Sequence, residues 1–157
     1  MKNFLLSLLF FSLLPFTAHA QETISGLVIR VVDGDTIRVR EKNKEITVRL
    51  YGIDAPESKQ AGGAEATEFL RDLLLTNQVA LEVLDTDRYG RKVAIVVLRK
   101  GVVVQDEILK AGHAWVYAKY CKAPQCKGWN ELERQAQELR AGLWAEDAVP
   151  PWEWRRR

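Results

Sequence analysis

Five segments with strand-like patterns, interrupted by a helical segment between the third and the fourth, predict an α+β fold. The first three strand patterns follow one another closely, which indicates a meander. Two further helical patterns follow the last strand. This order and this number of strands fit a five-stranded OB-fold β-barrel with three helices.

The strand predictions rest on alternation and on β-branched residues. The first two strands enclose the turn signal Asp33-Gly34-Asp35, and the third ends at Leu50 before a tight turn. The last two strands flank another turn-like segment, 87–91. The predicted strands cover residues 24–32, 36–40, 46–50, 79–83 and 92–98.

The helix predictions rest on apolar residues at helical spacing. The first helix is predicted over 64–75 and the second over 104–111, which Gly112 ends. The third is predicted over 130–141. There, Asn130 is a suitable N-cap, and Glu133 would complete a capping box.

Residues 1–20 are typical of a secretory signal peptide. Lys2 precedes an apolar run over 4–16, and Ala18-His19-Ala20 is a small-residue cleavage pattern. A membrane anchor is the alternative, but the run is shorter than the ~20 residues that a spanning helix needs. We therefore expect an exported protein, secreted or periplasmic, with no stable membrane association after cleavage.

The remaining chain divides into one domain over 21–149 and a short basic tail over 150–157 that contains Trp152, Trp154 and three arginines. We expect the tail to be disordered. Contact of its tryptophans and arginines with a membrane surface or nucleic acid is the alternative. The 157-residue chain has 23 Lys+Arg against 21 Asp+Glu. Because this total is nearly neutral, any nucleic-acid-binding surface must be local. A monomer is expected.

Cys121 and Cys126 are the two cysteines of the chain. In an exported protein this spacing predicts a disulfide that closes a short loop. Half of a zinc site is the alternative, but zinc needs three or four ligands and His113 is the only histidine outside the leader.

A lone histidine also argues against catalysis by a serine or cysteine nucleophile with a histidine base. The remaining candidates are acids and arginines at strand ends. If the first hairpin lies beside the third strand, Asp35 and Asp54 approach each other. Their oxygen ligands would then suit Ca²⁺.

Three segments in this order resemble the signature segments of the staphylococcal nuclease (thermonuclease) family. They are Val-Asp-Gly-Asp-Thr at 32–36, Val-Arg-Leu-Tyr-Gly-Ile-Asp-Ala-Pro-Glu at 48–57, and Asp-Arg-Tyr-Gly-Arg at 87–91. The likeness extends over about 24–144. It implies the OB-fold barrel with helices that the strand and helix patterns also predict.

The resemblance implies a role for each matching residue. Asp35 and Asp54 match the carboxylates that hold Ca²⁺, and Ala55 matches the residue that gives it a backbone carbonyl. Glu57 matches the acid that acts on the attacking water. The arginines that bind the phosphate match Arg49 and Arg91.

The chain departs from the family pattern in three places. Ala55 replaces a threonine, and the loop 58–63 is shorter and less basic, which concerns substrate affinity more than chemistry. Tyr120 lies near one of the family's nucleotide-stacking tyrosines, but no tyrosine is present near Ala118, where a second would align, and Tyr117 is only adjacent to that position. Packing beside the cysteine pair is the alternative role for both.

The sequence therefore predicts a secreted Ca²⁺-dependent nuclease. It would hydrolyse phosphodiester bonds of DNA and/or RNA and leave 3′-phosphate ends. The alternative is a non-catalytic OB-fold module that binds single-stranded nucleic acid. Such modules typically lack the acids or arginines that this chain retains at Asp35, Arg49, Asp54, Glu57 and Arg91.

Overall fold

A computed structural model describes residues 22–157. The predicted signal peptide therefore lies outside the described residues. Within 22–157, no helix combines the length and apolar character needed to cross a membrane.

Five strands close into a barrel in the order β1-β2-β3-β6-β5, with β5 pairing back onto β1. All neighbours are antiparallel except β3 and β6, which run parallel. A separate two-stranded sheet joins β4 to β7. In chain order the strands are β1 (Glu22–Asp33), β2 (Thr36–Glu41), β3 (Lys44–Leu50), β4 (Ile53–Asp54), β5 (Gln78–Thr86), β6 (Lys92–Leu98) and β7 (Trp115–Val116). The predicted barrel is confirmed.

Alternation along β2 explains why this segment becomes a barrel strand. Ile37 and Val39 are fully buried, whereas Arg38 and Arg40 face solvent. Successive side chains of a strand point to opposite faces, so the apolar set fills the barrel. The strands surround one apolar core that the helices extend.

The helices are α1 (Gly63–Leu74), α2 (Val104–Lys110), α3 (Cys126–Glu138) and α4 (Pro151–Trp154). The first two agree with the sequence predictions to within one residue. The prediction for the third was wrong at its start, since Asn130 lies inside α3. Its proposed partner Glu133 instead accepts a hydrogen bond from the Val116 N–H at 3.1 Å.

The start of α3 coincides with a disulfide. Cys126 is the first residue of the helix and is bonded to Cys121, with an S–S distance of 2.00 Å. The side chain of Trp129, one turn into the helix, is buried, and its indole N–H donates to Asp106 at 2.7 Å. The disulfide loop and the α2–α3 contact therefore fix this end of the helix.

The C-terminal tail differs from the expected disorder. Pro151 begins α4 and is buried, and the tail continues along the domain. The Trp152 ring stacks on Tyr117, with centroids 5.1 Å apart and an interplanar angle of 11°. It also meets the edge of Trp115 at 6.5 Å. Aromatic contacts of this kind order a segment that composition alone marks as solvated.

Gly34 allows the barrel and α1 to approach closely at the β1–β2 turn. A Cβ at Gly34 would lie 2.7 Å from the Ala55 Cβ and 2.8 Å from the Ala66 Cβ. Only glycine fits there. The turn that carries Asp35 is thereby held against the loop that follows β4.

Candidate active site

The pairing of β2 with β3 brings the first two signature segments together. Thr36 is opposite Arg49, and the Leu50 N–H donates to the Asp35 carbonyl at 2.8 Å. Asp54 lies in β4, opposite Trp115 of β7. These backbone contacts bring the residue before β2, the end of β3 and the end of β4 to one place.

Arg49 bridges two buried carboxylates. Its Nη1 lies 2.5 Å from Asp35 Oδ2, and its Nη2 lies 2.8 Å from Asp54 Oδ1. The side chains of Asp54 and Arg49 are 2% and 16% exposed. Asp35 Oδ2 also accepts the Ala55 N–H at 2.8 Å. The predicted convergence of Asp35 and Asp54 is present, with a guanidinium between them.

Burial makes negative charge costly at two acids of the cleft, Asp54 and Asp33. It raises the pKa of Asp54, although hydrogen bonding to Arg155 and the charge of Arg49 oppose the rise. Burial, and then the nearby Asp35 carboxylate, raises the pKa of Asp33 to about 6. A bound positive charge beside these carboxylates would therefore be favourable.

Glu57 lies in the loop between β4 and α1. Gln60 fixes this loop, because its N–H donates to the Glu57 carbonyl at 2.8 Å and its Oε1 accepts the Glu57 N–H at 3.2 Å. The Glu57 side chain is 44% exposed, and its Oε1 lies 2.7 Å from Arg155 Nη1. An accessible carboxylate is thus held at the edge of the buried acid pair.

Arg91 is held by Asp87 in the β5–β6 turn. Its Nε lies 2.6 Å from Asp87 Oδ2, while Asp87 Oδ1 accepts the backbone N–H groups of Tyr89 and Arg91. Burial acts to raise the pKa of Asp87, but hydrogen bonds from Arg91 outweigh it and lower that pKa. Asp87 therefore stays charged and orients the arginine.

The predicted site residues line one cleft of about 700 Å³. That volume is in the range of small-molecule sites. Tyr117 and Tyr120 also line it, and the Tyr117 N–H donates to the Gly52 carbonyl at 2.8 Å. The predicted residues in the cleft are Asp35, Arg49, Asp54, Ala55, Glu57, Arg91, Tyr117 and Tyr120.

The donor set suits a hard cation such as Ca²⁺. Asp35 and Asp54 offer carboxylate oxygens, and Ala55 lies against Asp35 through its N–H. Over residues 22–157, no group of three or more His, Cys, Asp or Glu side chains is close enough to hold a metal ion. Because Ca²⁺ takes about six to eight oxygen ligands, backbone carbonyls and water would complete any coordination by the two aspartates.

His113 lies away from this cleft and lines a smaller cavity of about 320 Å³. Its ring packs against Phe69, with centroids 4.9 Å apart. Burial lowers its pKa, with the charge of Glu65 opposing the change. The histidine is thus a packed residue outside the cleft.

Comparison with known proteins identifies the family. The profile described as "Staphylococcal nuclease homologue" matches residues 47–146, more than half of the chain. The chain belongs to the staphylococcal nuclease family. An "Uncharacterized endonuclease" of Escherichia coli O157:H7 is 40% identical over 135 residues, which cover 85% of this chain and 86% of the relative. The "Micrococcal nuclease" of Shigella flexneri is 37% identical over 140 residues, covering 83% and 80%.

Another relative of this staphylococcal nuclease-like chain has a name that states no activity. "Protein ParB" of Escherichia coli is 34% identical over 154 residues, which cover 92% of this chain and 86% of the relative.

The cleft residues that were not singled out from the sequence include three charged ones that contact predicted site residues. Asp33 and Asp87 stand inside the first and third signature segments, so their proximity to the site residues was an available signal. Arg155 reaches Asp54 and Glu57 from the far end of the chain, outside the segment that matches the family profile. No local pattern indicated that contact.

Proposed function

We propose that this staphylococcal nuclease-like protein is an exported, Ca²⁺-dependent nuclease that hydrolyses phosphodiester bonds of DNA or RNA and leaves 3′-phosphate ends. One observation carries the proposal. Two buried carboxylates, an accessible glutamate and two oriented arginines line the same cleft. Family membership and the names of the relatives support action on nucleic acid.

The arginines supply binding for the phosphate. A guanidinium has five N–H donors in a planar fork, so Arg49 keeps donors beyond the two nitrogens paired with the aspartates. Arg91 uses its Nε for Asp87, which leaves its terminal nitrogens for a phosphoryl group. Their hydrogen bonds should strengthen as negative charge develops on the five-coordinate phosphorus.

Glu57 orients the attacking water and accepts its proton. The water oxygen forms the new bond to phosphorus, and the bond from phosphorus to the 5′-oxygen breaks. The departing 5′-oxygen takes up a proton, which leaves one product with a 5′-hydroxyl and the other with a 3′-phosphate. Exposure of the Glu57 carboxylate gives water access to it.

Asp35, Asp54 and the carbonyl of Ala55 would hold the cation. When bound, Ca²⁺ neutralises a phosphate oxygen and polarises the phosphorus. Positive charge is favoured there because the Asp54 carboxylate is almost fully buried.

Tyr120 offers a face for a nucleobase. Its side chain is 56% exposed, and its ring meets Tyr117 edge to face at 4.9 Å. Stacking tolerates any base, and phosphate contacts read no sequence. We therefore expect little base specificity and a preference for single strands or breathing duplex ends.

The test is cleavage of single-stranded DNA by purified residues 21–157. Cleavage should require Ca²⁺, stop with excess chelator, and fall on the order of 10²-fold or more in Glu57→Gln. Glu138→Gln, an exposed change on α3, is the matched control and should retain wild-type activity. The 3′-phosphate is checked by primer extension, because the products should prime a polymerase only after phosphatase treatment.

The competing function predicts a different result. Tight binding of single-stranded DNA without cleavage in any divalent cation would favour a nucleic-acid-binding module over a nuclease. Wild-type rates in Glu57→Gln would remove Glu57 from the mechanism while leaving hydrolysis itself intact.

Export and oligomeric state have separate tests. Mass spectrometry of the protein recovered outside the cytoplasm should give an N-terminus at Gln21. Light scattering should give a monomer. An intact Met1 in the recovered protein would contradict signal-peptide cleavage.

A further inference from the structure

The C-terminal segment 151–157 brings Arg155 into the candidate cleft. Buried Pro151 starts it, and Trp152 anchors it by stacking on Tyr117 at 5.1 Å. Trp152 also contacts Trp115, the residue paired with Asp54 across β4 and β7. The next turn of the chain then carries Arg155 to the acids of the site.

Arg155 contacts both classes of acid in the site. Its Nη2 lies 2.6 Å from Asp54 Oδ2, and its Nη1 lies 2.7 Å from Glu57 Oε1 and 3.4 Å from Asp54 Oδ1. One guanidinium thus bridges a proposed cation ligand and the proposed base. These are short, charge-assisted contacts of the strong kind.

A cation bound to Asp54 would compete with this arrangement of Arg155. Both use the oxygens of Asp54, and a guanidinium carries only donors, so it cannot share in coordinating a metal. A divalent cation would also lie beside the positive charge of Arg155 and be repelled by it. Arg155 also occupies Glu57 Oε1, one of the two oxygens through which Glu57 would hold the attacking water.

We propose that the C-terminal segment is an internal competitor for the cation site, with Arg155 as the competing group and Trp152 as its anchor. This inference rests on the proposed function, because it takes Asp54 as a cation ligand. The protein then exists in two states. In the closed state Arg155 neutralises Asp54 and Glu57, and in the open state the segment has moved away and the carboxylates are free.

The competition reduces the apparent affinity for the cation. Only the open fraction of the protein binds, so the apparent dissociation constant equals the intrinsic constant divided by that fraction. Weakening the closed state must therefore tighten cation binding without any change to the ligands themselves.

Calorimetric titration of residues 21–157 with CaCl₂, without nucleic acid, tests the proposal. Arg155→Ala should tighten Ca²⁺ binding about tenfold or more, as expected for a mostly closed wild type. Trp152→Ala should act in the same direction, because it releases the anchor and leaves Arg155 in the sequence. Circular dichroism melts check that both variants fold.

Arg156→Ala is the matched control for charge. It removes one positive charge from the same segment, and among the described residues its side chain makes no hydrogen bond or ion pair with Asp54 or Glu57. Its Ca²⁺ affinity should stay within about twofold of wild type, since exposed charges interact weakly.

The outcomes separate the two proposals. Equal Ca²⁺ affinity in wild type and Arg155→Ala overturns the competition while the cation site stands. Weaker binding in Arg155→Ala also overturns it and makes Arg155 a supporting residue of the site. No Ca²⁺ binding by either protein overturns the cation site itself, and the competition with it.

Discussion

Replacing Arg49 with methionine should destabilise the cation-free protein by about 3 kcal/mol. Methionine preserves much of the length and apolar character of the side chain but removes the guanidinium that joins Asp35 to Asp54. The two buried carboxylates would then face each other without it, with Arg155 touching only one of them.

The magnitude follows from burial. Removing one partner of a buried ion pair typically costs 3–5 kcal/mol, roughly, because an uncompensated charge remains. The lower end, about 3 kcal/mol, applies because Arg155 still neutralises Asp54. For a domain of this size that loss corresponds to a fall in Tm of about 10 °C.

The assay is urea unfolding followed by tryptophan fluorescence, with chelator and then with saturating Ca²⁺. Ca²⁺ should restore much of the lost stability, because it supplies positive charge to the same carboxylates. Arg40→Met is the control. Its side chain is 51% exposed and pairs with Glu45 at 3.4 Å, so its loss should stay within about 0.5 kcal/mol. Equal losses in the two variants would refute the reasoning.

Two further substitutions test other parts of the structure. Asp33→Asn should stabilise the cation-free protein by up to about 3 kcal/mol at pH 8 and by little at pH 4. The folded-state pKa of Asp33, about 6, lies above the ordinary 3.8, so the charged carboxylate destabilises the folded protein only at the higher pH. Urea titrations at both pH values check this, with exposed Asp147→Asn as control, and a pH-independent gain would contradict it. Gly52→Ala should cost about 2–4 kcal/mol, because φ is 74° and a Cβ would lie 2.7 Å from Cys121 Sγ. Gly90→Ala is the control, because Gly90 has a similar φ of 78° but open space around it, and it should cost only about 1 kcal/mol. Thermal melts measure both losses, and losses of similar size would show that the contact with Cys121 does not matter.

The barrel was predictable because each strand carries its own signal. Alternation along β2 fixes which side chains face inward, and the short turn at Gly34 brings β1 and β2 together. Once β2 and β3 are neighbours, Asp35 and Arg49 must meet. The convergence of the predicted site residues thus follows from local patterns and one antiparallel register.

Two features required the tertiary structure. The Asn130–Glu133 pattern resembles a helix start, yet the disulfide at Cys126 and the packing of Trp129 extend α3 in the N-terminal direction, and Glu133 serves the backbone of β7. The contact of Arg155 with Asp54 depends on aromatic packing between Trp152 and Tyr117. No pattern in the sequence around Arg155 or around Asp54 indicates that the two residues are in contact.

The parallel pairing of β3 with β6 has a consequence for the order of folding. The register joins Val48 to Lys92, Arg49 to Val93 and Leu50 to Ala94, so this seam connects two segments that are separated in the chain by β4, α1 and β5. To form such distant contacts the chain must first lose the entropy of closing a long loop, so these contacts form slowly. Arg49 belongs to this seam. A chain that has formed its hairpins but has not yet closed the barrel therefore has not assembled the candidate cleft.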